Sequence, residues 1–182
     1  SSDRALHTLI FDDPECRPFY YKNGKSFKDY HKEGEIFWHK YVTYTEGMSD
    51  YWDYSFFNVS VIRYADVLLL YAECLNDKGE TTEAINIINK VRARVNVPAL
   101  PLTMSKAEVL KHLQDKERPC ELALEGSRWY DLVRWGIVEE TLKAHNKPFV
   151  ENYVDTKHQL FPIPHSEFLL NPDWEQNPNY SK

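Results

Sequence analysis

The spacing of apolar residues is helical in the middle of the chain. Tyr64, Leu68, Tyr71 and Leu75 recur at intervals of three or four positions, as they would on one face of an α-helix. Gly79 follows this set, and glycine readily takes the left-handed conformation that ends many helices. The pattern therefore predicts a helix that ends just before Gly79.

A second helix is predicted directly after this glycine. Thr81 can cap its N-terminus through the side-chain hydroxyl, and Pro98 is incompatible with its continuation. Its predicted apolar face consists of Ala84, Ile88, Val91 and Val95. Together the two helices cover residues 62–95, and these 34 residues match the length of one tetratricopeptide (TPR) repeat. A single TPR-like hairpin leaves apolar faces uncovered, so the pattern implies stacking partners.

A third helical stretch is predicted from residue 105 onward. Ser105 and Glu108 have the spacing of a capping box, in which each side chain satisfies a free amide of the other residue. Pro119 lacks an N–H group, so it must either kink this stretch or begin a new helix. A further short helix is predicted between Gly136 and about Ala144.

The two ends of the chain have different patterns. Residues 1–60 contain few helical signals, many aromatic residues and turn sequences such as Asn23-Gly24, which favour short strands and loops. Residues 146–182 contain five prolines, which favour an extended, ordered tail. We therefore predict a mainly α-helical domain in three parts, with an aromatic-rich region at 1–60, helices at 61–145 and a wrap at 146–182.

Composition and charge exclude several classes of protein. Hydrophobic residues make up 42% of the chain and charged residues 27%, which is typical of a globular domain. The net charge is −6 and the basic residues are scattered, which argues against a nucleic-acid partner. The longest apolar run, residues 67–72, is far shorter than the roughly 20 residues of a membrane span.

Motifs for metal or cofactor chemistry are absent from the sequence. The seven histidines form no HxxH, HExxH or HxH pair, and the three cysteines form no CxxC motif. There is no P-loop, GxGxxG or GxSxG motif either. The sequence therefore predicts neither a metal site nor a cofactor, and it leaves the disulfide state of Cys16, Cys74 and Cys120 open.

Three glutamates recur at intervals of four residues, and two interpretations compete. On a continuous helix Glu117, Glu121 and Glu125 would share one face, and paired carboxylates are what a glycoside hydrolase uses. However, arginines on the same segment would hold these carboxylates ionised, whereas a general acid needs a raised pKa. These arginines are Arg118, Arg128 and Arg134. We therefore favour a structural ion-pair network over catalysis.

Two further acidic positions fit the same interpretation. Asp131 lies three residues from both Arg128 and Arg134, which is the spacing of ion pairs along a helix. Asp66 and Glu73 lie seven apart on the first predicted helix, and Arg63 is three residues from Asp66. We assign these acids to helix-stabilising ion pairs rather than to a catalytic site.

Aromatic residues are concentrated in one short segment. Nine lie within the 21 residues from 37 to 57, where the average of 14% predicts about three. Tyrosine and tryptophan rings can stack on the C–H face of a sugar while their polar edges bond to hydroxyls. Packing in the core of strands is the alternative. As candidate carbohydrate-binding residues we name Trp38, Tyr51 and Trp52, followed by Tyr20 and Tyr21.

Several motifs resemble one known family. Residues 61–73 read VIRYADVLLLYAE and resemble the RYADVLL-x-YAE helix of the SusD/RagB family of outer-membrane glycan-binding lipoproteins. Further matches in the same order are INKVRAR at 88–94, RWYDLVRW at 128–135, LFPIP at 160–164 and QNPNY at 176–180. Pro119 and Asn179 depart from the family pattern.

The resemblance implies a SusD-like α-helical fold and a non-catalytic function. Such a protein would hold oligosaccharide at the surface of a Gram-negative cell and pass it to a SusC-like TonB-dependent transporter. A lipid anchor outside this sequence would attach it to the outer membrane. The chain would be the C-terminal part of a longer protein, and the N-terminal part would be its packing partner. Two alternatives remain: a TPR-type scaffold that binds a protein, and a glycoside hydrolase that uses the paired glutamates.

Overall fold

Helices dominate the structure, a computed structural model that describes residues 3–13, 26–41, 58 and 60–181. In this part of the chain the α-helices are α1 (Asp3–Thr8), α2 (Tyr64–Asp77), α3 (Thr81–Ala93), α4 (Lys106–His112), α5 (Arg118–Glu121), α6 (Ser127–Trp135), α7 (Val138–Ala144), α8 (Asp155–His158) and α9 (His165–Leu170). The mainly α-helical fold that the sequence predicts is confirmed. None of the helices in these ranges has both the length and the hydropathy that a bilayer crossing requires.

Two short strands lie near the N-terminus, as the sequence predicts. Strand β1 (Leu9–Ile10) pairs antiparallel with strand β2 (Phe37–Trp38), and Leu9 lies opposite Trp38. A 3-10 turn at Phe27–Asp29 lies between them in the chain. Helix α1 was not predicted, because its six residues are too few to show a helical period.

The junction between α2 and α3 is a Schellman motif. The Glu80 amide donates to the carbonyl of Leu75 at 2.9 Å, the Gly79 amide donates to that of Asn76 at 3.0 Å, and Gly79 has a φ of +88°. The predicted helix end at Gly79 is therefore confirmed. Thr81 is the first residue of α3 rather than its cap, and its hydroxyl lies 3.1 Å from Asn76 Oδ1.

The predicted apolar face of α2 is partly wrong. Tyr64 and Tyr71 are 77% and 51% exposed, whereas Leu69 and Ala72 are fully buried. The two candidate stripes are offset by one residue and have the same helical spacing, so the period alone could not rank them. Packing against α3 and α4 favours the stripe of Leu69 and Ala72.

The predicted apolar face of α3 is confirmed, and α2, α3 and α4 enclose one core. The core consists of Leu69, Ala72, Leu75, Ala84, Ile85, Ile87, Ile88, Val91, Val109 and Leu113. Ser105 begins α4 with the predicted capping box, since its amide donates to Glu108 Oε2 at 2.8 Å. Whether the α2–α3 hairpin is a true TPR unit stays a prediction.

A π-helical turn precedes Pro119. It covers Leu113–Glu117, and α5 follows with the proline in its first turn. Pro119 therefore begins a new helix, one of the two predicted outcomes. The consequence is that Glu117 ends the π-turn, Glu121 ends α5 and Glu125 lies in the turn before α6, so the three glutamates are not on one continuous helix.

The chain forms two compact units, residues 1–126 and residues 127–182. In the second unit Leu132, Val138 and Leu142 form the core between α6 and α7. Helix α7 ends at Ala144, as predicted. The three-part division at residues 60 and 145 stays a prediction.

The predicted extended tail is not confirmed, because three short helices lie within it. A 3-10 helix covers Pro148–Asn152, and α8 and α9 follow. Pro148 is in the first turn of the 3-10 helix and Pro164 caps α9, so these prolines begin helices instead of excluding them.

The C-terminal QNPNY motif holds this tail in place. Gln176 Oε1 accepts from the amide of Ile163 at 2.8 Å, and Gln176 Nε2 donates to the Ile163 carbonyl at 2.9 Å. Asn177 Nδ2 donates to the carbonyl of Phe161 at 2.6 Å. The Tyr180 hydroxyl donates to that of Leu160 at 3.1 Å. The motif therefore fixes the LFPIP segment through backbone hydrogen bonds.

Candidate functional site

Trp38 is the candidate sugar-binding residue that the structure describes. It lies on β2 with 52% of its surface exposed, directly opposite Leu9 of β1. The His39 amide donates to the Thr8 carbonyl at 2.8 Å, which fixes the chain immediately after Trp38. The indole therefore stands on a short but hydrogen-bonded pair of strands.

Trp38 lines a cavity of about 510 Å³ within the first unit. Its apolar wall includes Leu9, Trp38, Val97, Pro119 and Ala123. Its charged and polar residues include Arg4, Arg92, His112, Lys116 and Glu117. A concave, largely apolar site with a few polar groups, in this range of volume, is typical of small-molecule binding sites.

Glu117 lies in the wall of this cavity and is fully buried. Its Oε1 accepts from Arg4 Nη2 at 2.6 Å, and its Oε2 accepts from Arg92 Nη1 at 2.6 Å. His112 Nε2 lies 2.9 Å from the same Oε2. Glu117 thereby joins α1, α3 and α4 through three contacts to one carboxylate.

Glu121 and Glu125 extend these contacts into a network. Arg63 makes a two-point contact with Glu125, since its Nε and Nη2 each lie 2.7 Å from a different carboxylate oxygen. Arg63 Nη1 lies 3.1 Å from Glu121 Oε1, and Arg94 Nη2 donates to the same oxygen at 2.7 Å. We call Glu117, Glu121, Glu125 and their cationic partners the glutamate network. Its other members are Arg4, which lies 3.2 Å from Glu121, and Lys40, which pairs with Glu125.

The network favours the ionised form of Glu117 and of Glu125. Burial by itself raises the pKa of Glu117, but the hydrogen bond with His112 and the charges of Arg4 and Arg92 outweigh it and lower the pKa to about 2. Burial likewise opposes ionisation of Glu125, but Arg63 and Lys40 lower its pKa. A general acid needs the opposite shift.

Several cations that contact these glutamates come from distant segments, and the sequence interpretation did not name them as partners of the glutamates. Arg118 pairs with Asp66 at 2.8 Å, and Arg63 contacts Glu121 and Glu125 instead of Asp66. The physical reason is that the chain turns after α5. The fold therefore brings cations from distant segments within ion-pair distance of the glutamates.

The remaining predicted ion-pair residues lie elsewhere. In the second unit Arg134 Nε donates to Asp131 Oδ1 at 3.0 Å, as the spacing of three residues predicts. Arg128 is in the first turn of α6, and Glu73 is half-buried on α2.

Four of the candidate sugar-binding residues lie outside the described residues. They are Tyr20, Tyr21, Tyr51 and Trp52. Their role stays a prediction, as does that of Trp38.

Sequence reasoning missed the polar residues around Trp38. Arg4, Arg92 and His112 come from three separate helices, and Lys116 from the π-turn. Arg92 does fall in a segment that resembles a family motif, but that signal did not indicate a shared cavity. Only the tertiary structure brings them together.

Comparison with known proteins identifies the family. The model of the SusD family matches residues 18–180. The chain is 37% identical over 130 residues to SusD-like protein P38 of Formosa agariphila, and 31% identical over 131 residues to SusD-like protein P2 of the same organism. Each match covers 68% of this chain, and the chain spans about a quarter of the length of these curated relatives, 25% and 26%.

Solved structures agree with this result. A SusD superfamily protein from Bacteroides vulgatus matches 97% of this chain and 39% of its own, with a TM-score of 0.75 and 29% identity. A SusD homologue from Bacteroides thetaiotaomicron matches 73% of this chain and 30% of its own, with a TM-score of 0.56 and 33% identity. The chain belongs to the SusD family, and the resemblance drawn from its motifs is confirmed.

Proposed function

We propose that this protein binds oligosaccharide at the outer membrane without catalysis and passes it to a SusC-like TonB-dependent transporter. Membership of the SusD family supports this proposal. The lipid anchor and the N-terminal packing partner that the family implies belong to the same proposal.

The exposed indole of Trp38 is the observation that carries it. A half-exposed tryptophan in the wall of a cavity offers a flat apolar face for the C–H face of a sugar. Polar groups in the same wall can donate hydrogen bonds to sugar hydroxyls or accept hydrogen bonds from them. Stacking together with a few directional bonds is sufficient for weak, reversible binding, which suits delivery to a transporter.

The paired glutamates do not favour hydrolysis. Cations contact all three, and the pKa values of Glu117 and Glu125 are lowered. A glycoside hydrolase needs one carboxyl group that stays protonated near neutral pH. The network is suited to joining segments of the chain instead.

One observation favours a second candidate, a protein-binding scaffold. Tyr64, Val67 and Tyr71 lie on one face of α2 and are exposed. An exposed apolar face of a helix can bind a protein partner. This candidate predicts that changes at Tyr64 and Tyr71 impair the function while changes at Trp38 do not.

A glycan-binding measurement on the full-length protein tests the proposal. We expect Trp38→Ala to weaken binding about tenfold or more, because the stacking face is lost. Trp174→Ala is the matched control, since Trp174 is 48% exposed and belongs to the second unit. The proposal is wrong if the protein binds no glycan, or if it releases shortened products from a glycan.

The delivery step has a separate test. We expect the TonB-dependent transporter encoded beside the gene to co-purify with the protein from solubilised outer membranes. Purification of the protein without that transporter would contradict delivery and leave glycan binding intact.

A further inference from the structure

We propose that the cavity beside Trp38 selects a sugar that carries an anionic substituent, a carboxylate or a sulfate ester, and that Lys116 pairs with it. This inference rests on the proposed function, because it names the class of glycan for the same site.

The charges in the cavity wall are unbalanced. Arg4, Arg92 and Lys116 are positive, and Glu117 is the negative side chain among the described lining residues. Among the Lys, Arg, Asp and Glu side chains that the structure describes in this wall, three are positive and one is negative. An anionic ligand would compensate the excess, whereas a neutral ligand would not.

Glu117 engages two of these cations. Its carboxylate accepts hydrogen bonds from both Arg4 and Arg92 at 2.6 Å. Glu117 therefore partly neutralises the charges of these two arginines. Lys116 differs from them. Its side chain is exposed, and no residue in the described part of the chain forms an ion pair or hydrogen bond with its ammonium group. The adjacent acid, Asp115, pairs with Lys111 at 3.0 Å. Lys116 is therefore available to a ligand.

The apolar part of the wall strengthens this preference. Leu9 and Trp38 lie opposite each other on paired strands, and both line the cavity together with Lys116. A sugar ring stacked on the indole excludes water from its surroundings, and an ion pair in such surroundings is stronger than in bulk water. The same wall gives a neutral sugar the stacking contact and hydrogen bonds, but no ion pair.

A glycan array with the full-length protein tests the preference. The array contains oligogalacturonates and alginate oligomers as carboxylated probes, carrageenan oligomers as sulfated probes, and neutral glucans and mannans. We expect the bound glycans to be anionic, and the class that binds distinguishes carboxylate from sulfate. Binding of neutral glycans alone would overturn the inference and leave the proposed function intact. Binding of no glycan would overturn both.

Matched probes and variants then test Lys116. Calorimetry compares the affinity for the most tightly bound glycan with the affinity for its methyl-esterified or desulfated form. We expect about tenfold weaker binding of the neutralised form, and a similar loss for the anionic form with Lys116→Ala. Lys90→Ala is the control, because Lys90 is an exposed lysine of α3 outside the cavity wall. Equal effects of Lys116→Ala and Lys90→Ala would overturn the role of Lys116.

Discussion

Arg92 Nη1 donates to Glu117 Oε2 at 2.6 Å and ties the last turn of α3 to the π-turn before α5. Both residues also line the cavity beside Trp38. The same ion pair therefore stabilises the first unit and shapes the wall of the candidate binding site.

Removal of the Glu117 charge should destabilise the protein. Glu117→Gln keeps the size of the side chain but removes the buried counter-charge of Arg92, and it leaves Arg4 with Glu121 alone. Breaking a buried pair from one side costs about 3–5 kcal/mol. We expect a loss of that order in the free energy of unfolding, measured by chemical denaturation.

Glu139→Gln is the control for this prediction. Glu139 pairs with Lys143 at 2.6 Å on the surface of α7, and both side chains are exposed. Exposed pairs contribute about 0–1 kcal/mol, so this variant should unfold almost like the unmodified protein. If Glu117→Gln lowers the free energy of unfolding no more than Glu139→Gln does, the prediction is wrong.

Acid should remove the contribution of Glu117. Its pKa is lowered from the ordinary value of 4.5 to about 2 in the folded protein. A lowered pKa stabilises the fold above pH 4.5, and this stabilisation is lost as the pH falls through about 2. The difference corresponds to a loss on the order of 3 kcal/mol. Unfolding measured from pH 6 to pH 2 should show this decline, and Glu117→Gln should flatten it. An equal slope in both proteins would contradict the prediction.

Gly79→Ala should destabilise the junction between α2 and α3. The φ of Gly79 is +88°, and a Cβ there would meet no atom within 4 Å, so the cost comes from the backbone alone. We expect a loss of about 1 kcal/mol in the free energy of unfolding. Lys78→Ala is the control, because Lys78 has a φ of −69°. A loss no greater than that of the control would refute the role of this conformation.

Gln176→Ala should loosen the LFPIP segment. The variant leaves both the amide and the carbonyl of Ile163 without the bonds that Gln176 supplies. Each lost bond costs about 1 kcal/mol, so we expect amide hydrogen exchange at Ile163 to accelerate about tenfold or more. Gln159→Ala is the control, since Gln159 bonds to the Asp155 side chain. Unchanged exchange at Ile163 would contradict the prediction.

Local signals in the sequence were reliable where interactions between neighbouring residues determine the backbone conformation. The capping box at Ser105 and the left-handed Gly79 each act within a few residues, and both are found as predicted. The tail shows the limit of such signals, because a proline can either prevent a helix or begin one. Pro148 and Pro164 begin helices.

The sequence by itself determined the family, the turn between α2 and α3 and the start of α4, because motifs and caps depend on neighbouring residues. Tertiary structure alone decided which stripe of α2 is buried and which cations reach Glu117, Glu121 and Glu125. Helical spacing fits two adjacent stripes equally well, and an ion pair depends on distance in space. Arg4 and Glu117 lie 113 positions apart in the chain and 2.6 Å apart in the fold.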